Sequence, residues 1–171
     1  ADDMGLGKTI QSVCVFTILQ KLGRCKKLMI VAPKSTITNT WQHEVNKFFG
    51  LNLQILDTDN MWLIGSDSVD YCITNYEALA YYGRENARAS LNSDWLLILD
   101  EATKFKNRDS QVYESIAALR GSAFVISLSG TPFENNASEF WAILQITAKN
   151  FMPRYLLSRR FIDYETVTLG R

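Results

Sequence analysis

The sequence is poor in cysteine, histidine and net charge, and each shortage excludes a class of protein. Its 3 cysteines, Cys14, Cys25 and Cys72, are widely spaced. Such spacing predicts neither a disulfide framework nor a zinc site, and we expect three small buried side chains. The 18 basic residues balance the 18 acidic ones, which excludes a polybasic arm. Any contact with a polyanion must therefore come from a local patch or from backbone amides.

Long apolar runs are also missing. None reaches the ~18 residues needed to cross a bilayer, and the opening Ala1-Asp2-Asp3 is the opposite of a cationic signal peptide. The single histidine, His43, is expected to lie on the polar side of a helix, exposed to solvent. With 47% hydrophobic residues, the chain is predicted to form one intracellular globular domain with no membrane partner.

Apolar segments of two kinds alternate along the chain. Continuous runs such as Leu28-Met29-Ile30-Val31-Ala32 predict strands covered on both faces, whereas apolar residues at helical spacing predict helices. The expected strands are 28–32, 51–55 (at an edge), 69–74, 95–99 and 124–128, and the expected helices are 10–22, 35–50 (capped by Ser35), 77–82, 112–119 and 136–144. This alternation is typical of a mainly parallel sheet with helices on both faces, a three-layer α/β fold.

Most large aromatic residues fall on these apolar stripes. We expect them to belong to the core, with Trp62 exposed as the exception, because it lies in a polar loop. The residues assigned to the core in this way are Trp41, Phe48, Trp95, Phe124 and Trp141.

A glycine-rich segment opens directly onto the first helix. Phosphate binding needs glycines that turn backbone amides toward the anion, a helix N-terminus, a lysine for the β- and γ-oxygens and a hydroxyl for Mg²⁺. Lys8 and Thr9 supply the last two, but Asp2 stands where the strict P-loop pattern has glycine. A simple glycine-rich helix start therefore remains the alternative. The predicted nucleotide-binding residues are Asp2, Asp3, Met4, Gly5, Leu6, Gly7, Lys8 and Thr9.

An acidic pair, Asp100-Glu101, follows the most apolar strand. At the end of such a strand the first carboxylate can hold Mg²⁺ and the second can polarise an attacking water. The alternative is an aspartate that caps the next helix. Found together, the glycine-rich segment and the acidic pair predict a P-loop ATPase that uses ATP and Mg²⁺, with Lys8 and Glu101 as the catalytic residues.

The order of these and further motifs resembles the N-terminal RecA-like lobe of the Swi/Snf family of helicase-related, DNA-dependent ATPases. The resemblance extends over residues 1 to about 145, and a weaker likeness continues to residue 161. The segments that carry it are Asp2 to Thr9; Val31 to Ser35 with Trp41, Glu44 and Phe48; Ile73 to Glu77; Ile98 to Thr103 with Lys106 and Asn107; and Leu128 to Pro132 with Asn135, Asn136, Glu139 and Trp141.

This resemblance implies an ATP-driven motor that moves along double-stranded DNA. It would act in the nucleus if the protein is eukaryotic and in the cytoplasm, at the nucleoid, if it is bacterial or viral. Thr9 and Asp100 would hold Mg²⁺, and Glu101 would orient the hydrolytic water. The partners implied are double-stranded DNA, a second RecA-like lobe, and DNA-bound proteins or nucleosomes. DNA contacts are implied for Lys34, Ser35, Thr74 and Asn75, and coupling of nucleotide state to DNA grip for Thr103, Ser129, Gly130 and Thr131.

The sequence departs from the family pattern at two positions. Thr103 stands where the family usually has histidine, and Glu134 stands where glutamine is usual. The shorter threonine hydroxyl cannot gain charge, which affects the coupling more than the metal site. A catalytically degenerate nucleotide- or DNA-binding scaffold is therefore one alternative, and a P-loop kinase or GTPase is another.

The expected domain division is an ATP-binding lobe over 1–150 and an extension over 151–171 that leads toward the second lobe. The strand that precedes a P-loop and the second lobe with its arginine finger are both expected to be missing from these residues. Such an arginine contributes roughly 10³ to 10⁵ in turnover. We therefore expect these residues alone to hydrolyse ATP poorly.

Overall fold

The computed structural model describes residues 6–85, 90–131 and 137–148 of the 171-residue chain. Its strands are β1 (Lys27–Ala32), β2 (Gln54–Ile55), β3 (Tyr71–Asn75), β4 (Trp95–Leu99) and β5 (Phe124–Ser127). Its α-helices are α1 (Lys8–Lys21), α2 (His43–Phe49), α3 (Tyr76–Glu85), α4 (Gln111–Arg120) and α5 (Ala137–Thr147).

The five strands form one sheet in the order β2-β3-β1-β4-β5, and all four pairings are parallel. β1 lies at the centre, where Ile30 is opposite Ile73 on one side and Ile98 on the other. Every residue of β4 is buried, which explains why this strand is a continuous apolar run. In the sheet formed by the described residues, β2 and β5 are the edge strands.

Two apolar clusters cover the two faces of the sheet. On one face, α1 and α2 pack Phe16 and Val45 against alternate strand residues such as Ile30. On the other, α3, α4 and α5 pack side chains such as Leu79 and Ile116 against the intervening strand residues. The predicted three-layer α/β fold is confirmed.

The helix predicted for residues 35–50 differs from the expectation. The chain forms a 3₁₀ turn over Lys34–Thr36 and a π-helical segment over Ile37–Gln42 before α2 begins. Ser35 lies inside the 3₁₀ turn, so its assignment as a helix cap was wrong. The wider π turn also moves the apolar stripe by one residue. Phe49 therefore packs on the core, whereas Phe48, predicted as core, is 57% exposed.

Other expectations are confirmed in part. β2 is the expected edge strand but only 2 residues long. His43 and Trp62 are exposed as predicted. Trp41, Trp95 and Trp141 are buried, and Phe124 is half-buried.

The cysteines divide into two environments. Cys25 and Cys72 are buried, but Cys14 is exposed on α1, contrary to the expectation that all three are core residues. Desolvation raises the pKa of the Cys72 thiol to about 12. The three thiols are free.

Within residues 6–85, 90–131 and 137–148, no helix combines the length and apolar character needed to cross a membrane. No group of three or more histidine, cysteine or carboxylate side chains there is placed to hold a metal ion.

Candidate nucleotide-binding site

The carboxyl ends of β1, β4 and β5 meet at one edge of the sheet. The Asp100 amide donates to the carbonyl of Val31 (2.8 Å), and the Leu128 amide donates to the carbonyl of Leu99 (2.8 Å). The Ala102 amide in turn donates to the Leu128 carbonyl (2.8 Å). The acidic pair Asp100-Glu101 is therefore held between the end of β1 and the end of β5.

The N-terminus of α1 lies at the same edge, beside the end of β5. Lys8, the first residue of α1, lines a cleft of about 190 Å³ together with Ser12, Ser127 and Ser129. No acidic residue occupies the first turn of α1, so the partial positive charge of this helix end is not neutralised from within the helix. The structure thus brings Lys8 and Ser129 into one cleft at the edge where Asp100 and Glu101 lie.

Gly7 sets the entry of the glycine-rich segment into α1. Its φ of 71° and ψ of 31° are left-handed, a conformation that glycine adopts without steric cost. The Gln11 side chain donates from Nε2 to the carbonyl of Leu6 (2.8 Å) and holds the loop against the first turn. The predicted nucleotide-binding residues Asp2, Asp3, Met4 and Gly5 lie outside the described residues.

Glu101 has a left-handed backbone with φ 52° and ψ 61°, and among the described residues it is the only non-glycine with positive φ. A left-handed conformation costs a residue with a Cβ roughly 1–2 kcal/mol. Non-glycine residues in this region cluster at functional sites. This backbone turns the chain from β4 into the 3₁₀ turn Ala102–Phe105.

Both carboxylate oxygens of Asp100, its backbone amide and its backbone carbonyl all form hydrogen bonds. Oδ1 accepts from the Glu101 amide (3.0 Å), and Oδ2 accepts from Nε1 of Trp41 (2.9 Å). The Asp100 carbonyl accepts from the hydroxyl of Tyr76, and its amide donates to Val31. Each of these four polar groups of Asp100 therefore has a hydrogen-bond partner within the fold.

Sequence reasoning missed Trp41 and Tyr76 as members of this site. Trp41 was correctly predicted to lie in the core, and Tyr76 was included only within the segment Ile73 to Glu77. The available signal is chemical: a buried indole N–H or phenol O–H needs an acceptor, so each must find one inside the core. Burial raises the pKa of Tyr76 well above its ordinary value, and the nearby Asp100, Glu101 and Glu77 raise it further. The hydroxyl is therefore protonated and acts as a donor.

The residues predicted to contact DNA divide into two groups. Lys34 and Ser35 are exposed in the 3₁₀ turn after β1. Asn75 is half-buried, and its Oδ1 accepts from the Ala78 amide (2.8 Å) at the start of α3. Thr74 is fully buried, and its hydroxyl donates to the Leu56 carbonyl (2.7 Å). The Thr74 side chain is thus directed into the core and is not presented at the surface.

The predicted coupling residues follow β5 and β4. Ser129 is buried, and its Oγ accepts from the Thr131 amide (3.1 Å), which closes a tight turn around Gly130. Thr103 is half-buried in the 3₁₀ turn that begins at Ala102. Because the Ala102 amide bonds to the Leu128 carbonyl, the two segments touch through their backbones. Pro132, Glu134, Asn135 and Asn136 lie outside the described residues.

The tail of the acidic motif is tied to α5. Lys106 Nζ lies 3.2 Å from Glu139 Oε2, and both side chains are about three-quarters buried. The Arg108 guanidinium lies 4.7 Å from the centre of the Trp141 ring. These contacts bring together motif residues separated along the chain.

A larger cleft of about 760 Å³ lies between α3 and α4, with Tyr82, Arg108 and Glu114 among its lining residues. None of the residues predicted for nucleotide or DNA binding lines it. Size alone therefore does not identify the site, and the convergence of an anion-binding helix end with paired carboxylates is the better guide.

Known proteins resemble this chain over most of its length. The SNF2-related domain family matches residues 1–159. The chain is 34% identical over 163 residues to the Arabidopsis thaliana protein CHROMATIN REMODELING 25, across 86% of this chain and 18% of that protein. It is 35% identical over 156 residues to the putative ATP-dependent helicase/translocase YwqA of Bacillus subtilis (strain 168), across 89% of this chain and 17% of that protein.

The solved SWI2/SNF2 ATPase core of Sulfolobus solfataricus in complex with double-stranded DNA has the same fold. It superimposes with a TM-score of 0.77 at 27% identity, and the match covers 95% of this chain and 34% of that chain. This agreement confirms the RecA-like architecture expected from the motifs. The chain spans less than a fifth of each of the two relatives. The motifs, the sheet order and these matches together show that the chain belongs to the SNF2-related domain family.

Proposed function

We propose that the chain is the ATP-binding lobe of an ATP-dependent translocase or remodeller that acts on double-stranded DNA. The observation that carries this proposal is the position of Lys8 at the start of α1, in one cleft with Ser129, at the sheet edge where Asp100 and Glu101 lie. A helix N-terminus with a lysine binds phosphate, and an acidic pair beside it suits hydrolysis of the terminal phosphate.

In this proposal each residue has a separate task. The α1 amides and the Lys8 ammonium bind the β- and γ-phosphates of ATP, and Glu101 orients the attacking water. The Thr9 hydroxyl and the Asp100 carboxylate would hold Mg²⁺. These hard oxygen donors fit that ion, which commonly takes only one or two protein ligands and fills its shell with phosphate oxygens and waters. Bound Mg²⁺ would neutralise charge on the phosphate oxygens.

Lys34, Ser35 and Asn75 would contact phosphates of the DNA backbone. Lys34 and Ser35 are exposed on the loop that follows β1, and Asn75 ends the adjacent strand β3. Local contacts of this kind suit a chain whose net charge is zero. Thr74 can contribute through its backbone only, because its hydroxyl is bonded inside the core. Thr103, Ser129, Gly130 and Thr131 would link the nucleotide site to this DNA-contacting surface.

The test is Glu101→Gln in the full-length protein, with Glu114→Gln on the exposed face of α4 as the matched control. We expect Glu101→Gln to keep its affinity for ATP and to lose at least about 100-fold in DNA-stimulated turnover, because general-base catalysis contributes about 10²–10⁴-fold. Glu114→Gln should retain full turnover. Wild-type turnover in Glu101→Gln would contradict the assigned role.

A second comparison separates the alternatives. ATP should compete for the site better than GTP, whereas a GTPase would reverse that order. Nucleotide binding by the full-length wild type without any turnover would instead identify a degenerate scaffold. The 171-residue chain alone should show negligible DNA-stimulated turnover.

A further inference from the structure

Two buried aromatic residues join the segments assigned to DNA contact to Asp100, the residue whose carboxylate is assigned to the metal. Trp41 belongs to the π-helical segment that directly continues the 3₁₀ turn containing Lys34 and Ser35. Tyr76 directly follows Asn75. The side chains of both residues end on Asp100: the Trp41 indole on Oδ2 and the Tyr76 hydroxyl on the backbone carbonyl.

We propose that Trp41 and Tyr76 are positioning residues that transmit DNA contact to the nucleotide site by moving or holding Asp100. The inference rests on the proposed function, because it takes the metal role of Asp100 and the DNA role of Lys34, Ser35 and Asn75 from it. It adds that two separate DNA-contacting segments act on a single residue, Asp100, one through its carboxylate and one through its backbone carbonyl.

The packing around Trp41 suits this task. The side chain is fully buried beneath the sheet edge, and its N–H is 2.9 Å from the Asp100 carboxylate. A hydrogen bond to a charged group in a buried setting is stronger than a neutral one. The indole is rigid, so a shift of the π-helical segment displaces its N–H by a similar distance. Single-turn π segments are frequent at functional sites.

The link through Tyr76 runs along the backbone. Asn75 caps α3 by accepting from the Ala78 amide, and Tyr76 is the first residue of that helix. A phosphate that engages Asn75 would act on the end of the helix that carries Tyr76. The Tyr76 hydroxyl bonds to the Asp100 carbonyl, and the next residue is Glu101 with its left-handed backbone. A change at Asn75 would therefore reach the backbone that carries Asp100 and Glu101.

The experiment measures how strongly DNA and nucleotide affect each other's binding in the full-length protein. Calorimetry gives the Kd of a non-hydrolysable ATP analogue with Mg²⁺, in the absence and presence of a saturating blunt-ended DNA duplex. The ratio of the two Kd values is the coupling factor, typically about 5 to 150 where two sites are linked. This readout does not depend on turnover.

The test variants are Trp41→Phe and Tyr76→Phe. The matched controls are Trp95→Phe, a buried tryptophan at the opposite end of β4, and Tyr113→Phe, a buried tyrosine on α4. We expect each test variant to lose at least about fivefold in coupling factor, and each control to lose none. The affinity for DNA without nucleotide should stay within about twofold in all four. A merely structural role would lower the melting temperature of test and control variants alike and leave the coupling factor unchanged.

The outcomes are distinct. An unchanged coupling factor in Tyr76→Phe, which removes a single oxygen atom, overturns the proposal even if Trp41→Phe fails to fold. Equal losses in the control variants overturn it as well, and so does a wild-type coupling factor of one. Absence of nucleotide binding by the wild type would instead overturn the proposed function.

Discussion

Replacing Glu101 by glycine should stabilise the fold while abolishing the proposed activity. Glu101 is half-buried and holds φ 52° and ψ 61°. Glycine removes a left-handed penalty of roughly 1–2 kcal/mol, but it also makes the unfolded chain more flexible, which costs about 0.4–1 kcal/mol of stability. The difference between the central values is a gain of about 0.8 kcal/mol, or roughly 2–3 °C in melting temperature for a domain of this size. The Glu101 amide that donates to Asp100 Oδ1 is retained by glycine.

Thermal unfolding followed by circular dichroism measures this effect, with Glu114→Gly as the control. Glu114 is exposed in α4, so glycine there should cost about 1 kcal/mol of helix stability. The two variants carry the same chemical change and should move the melting temperature in opposite directions. A fall in melting temperature for Glu101→Gly equal to that of Glu114→Gly would refute the conclusion that the backbone at Glu101 is strained.

Three further predictions concern the nucleotide site and the titrating groups. Lys8→Ala should weaken binding of an ATP analogue at least about tenfold, and unchanged affinity by calorimetry would exclude the lysine from the site. Iodoacetamide should alkylate Cys14 in the native protein and leave Cys25 and Cys72 unmodified, as mass spectrometry can check. Stability should also fall at alkaline pH. Burial raises the pKa of Cys72 from 9.0 to about 12 and raises the pKa of Tyr76 above 10.0, so the folded state holds both protons more tightly than the unfolded state does. Their contribution is complete below the unfolded pKa values and is lost as pH rises from there through the folded pKa values, so the urea midpoint should drop between about pH 9 and pH 12; a constant midpoint would contradict this.

Continuous apolar runs and glycine boundaries made much of the fold predictable. The run 95–99 coincides with β4, and Gly121 directly follows the last residue of α4. Residues 34–50 were not predictable to the same degree. Ile37, Trp41 and Val45 fit an α-helical stripe and a π-helical one equally well. Only packing in the folded chain selects the wider turn that packs Phe49 against the core and exposes Phe48.

The candidate site was predictable as a set of motifs but not as a network. Spacing and chemistry pointed to Lys8, Asp100 and Glu101, because glycine-rich helix starts and strand-end carboxylates have few other uses in combination. The bond between Trp41 and Asp100 joins residues 59 positions apart. No local pattern specifies such a pairing, since the sheet order that places β1 beside β4 is itself a tertiary property.

The all-parallel sheet has a consequence for how the chain folds during synthesis. Parallel neighbours cannot form a hairpin, so each pairing waits until a crossover segment has been made. β1 is the first of the described strands to be made, yet its partners β3 and β4 end only at Asn75 and Leu99. Its apolar segment Leu28–Ala32 therefore leaves the ribosome well before either neighbour exists. Exposed nascent segments of this kind favour aggregation and slow folding, so yield in recombinant expression should depend on translation rate and chaperone supply.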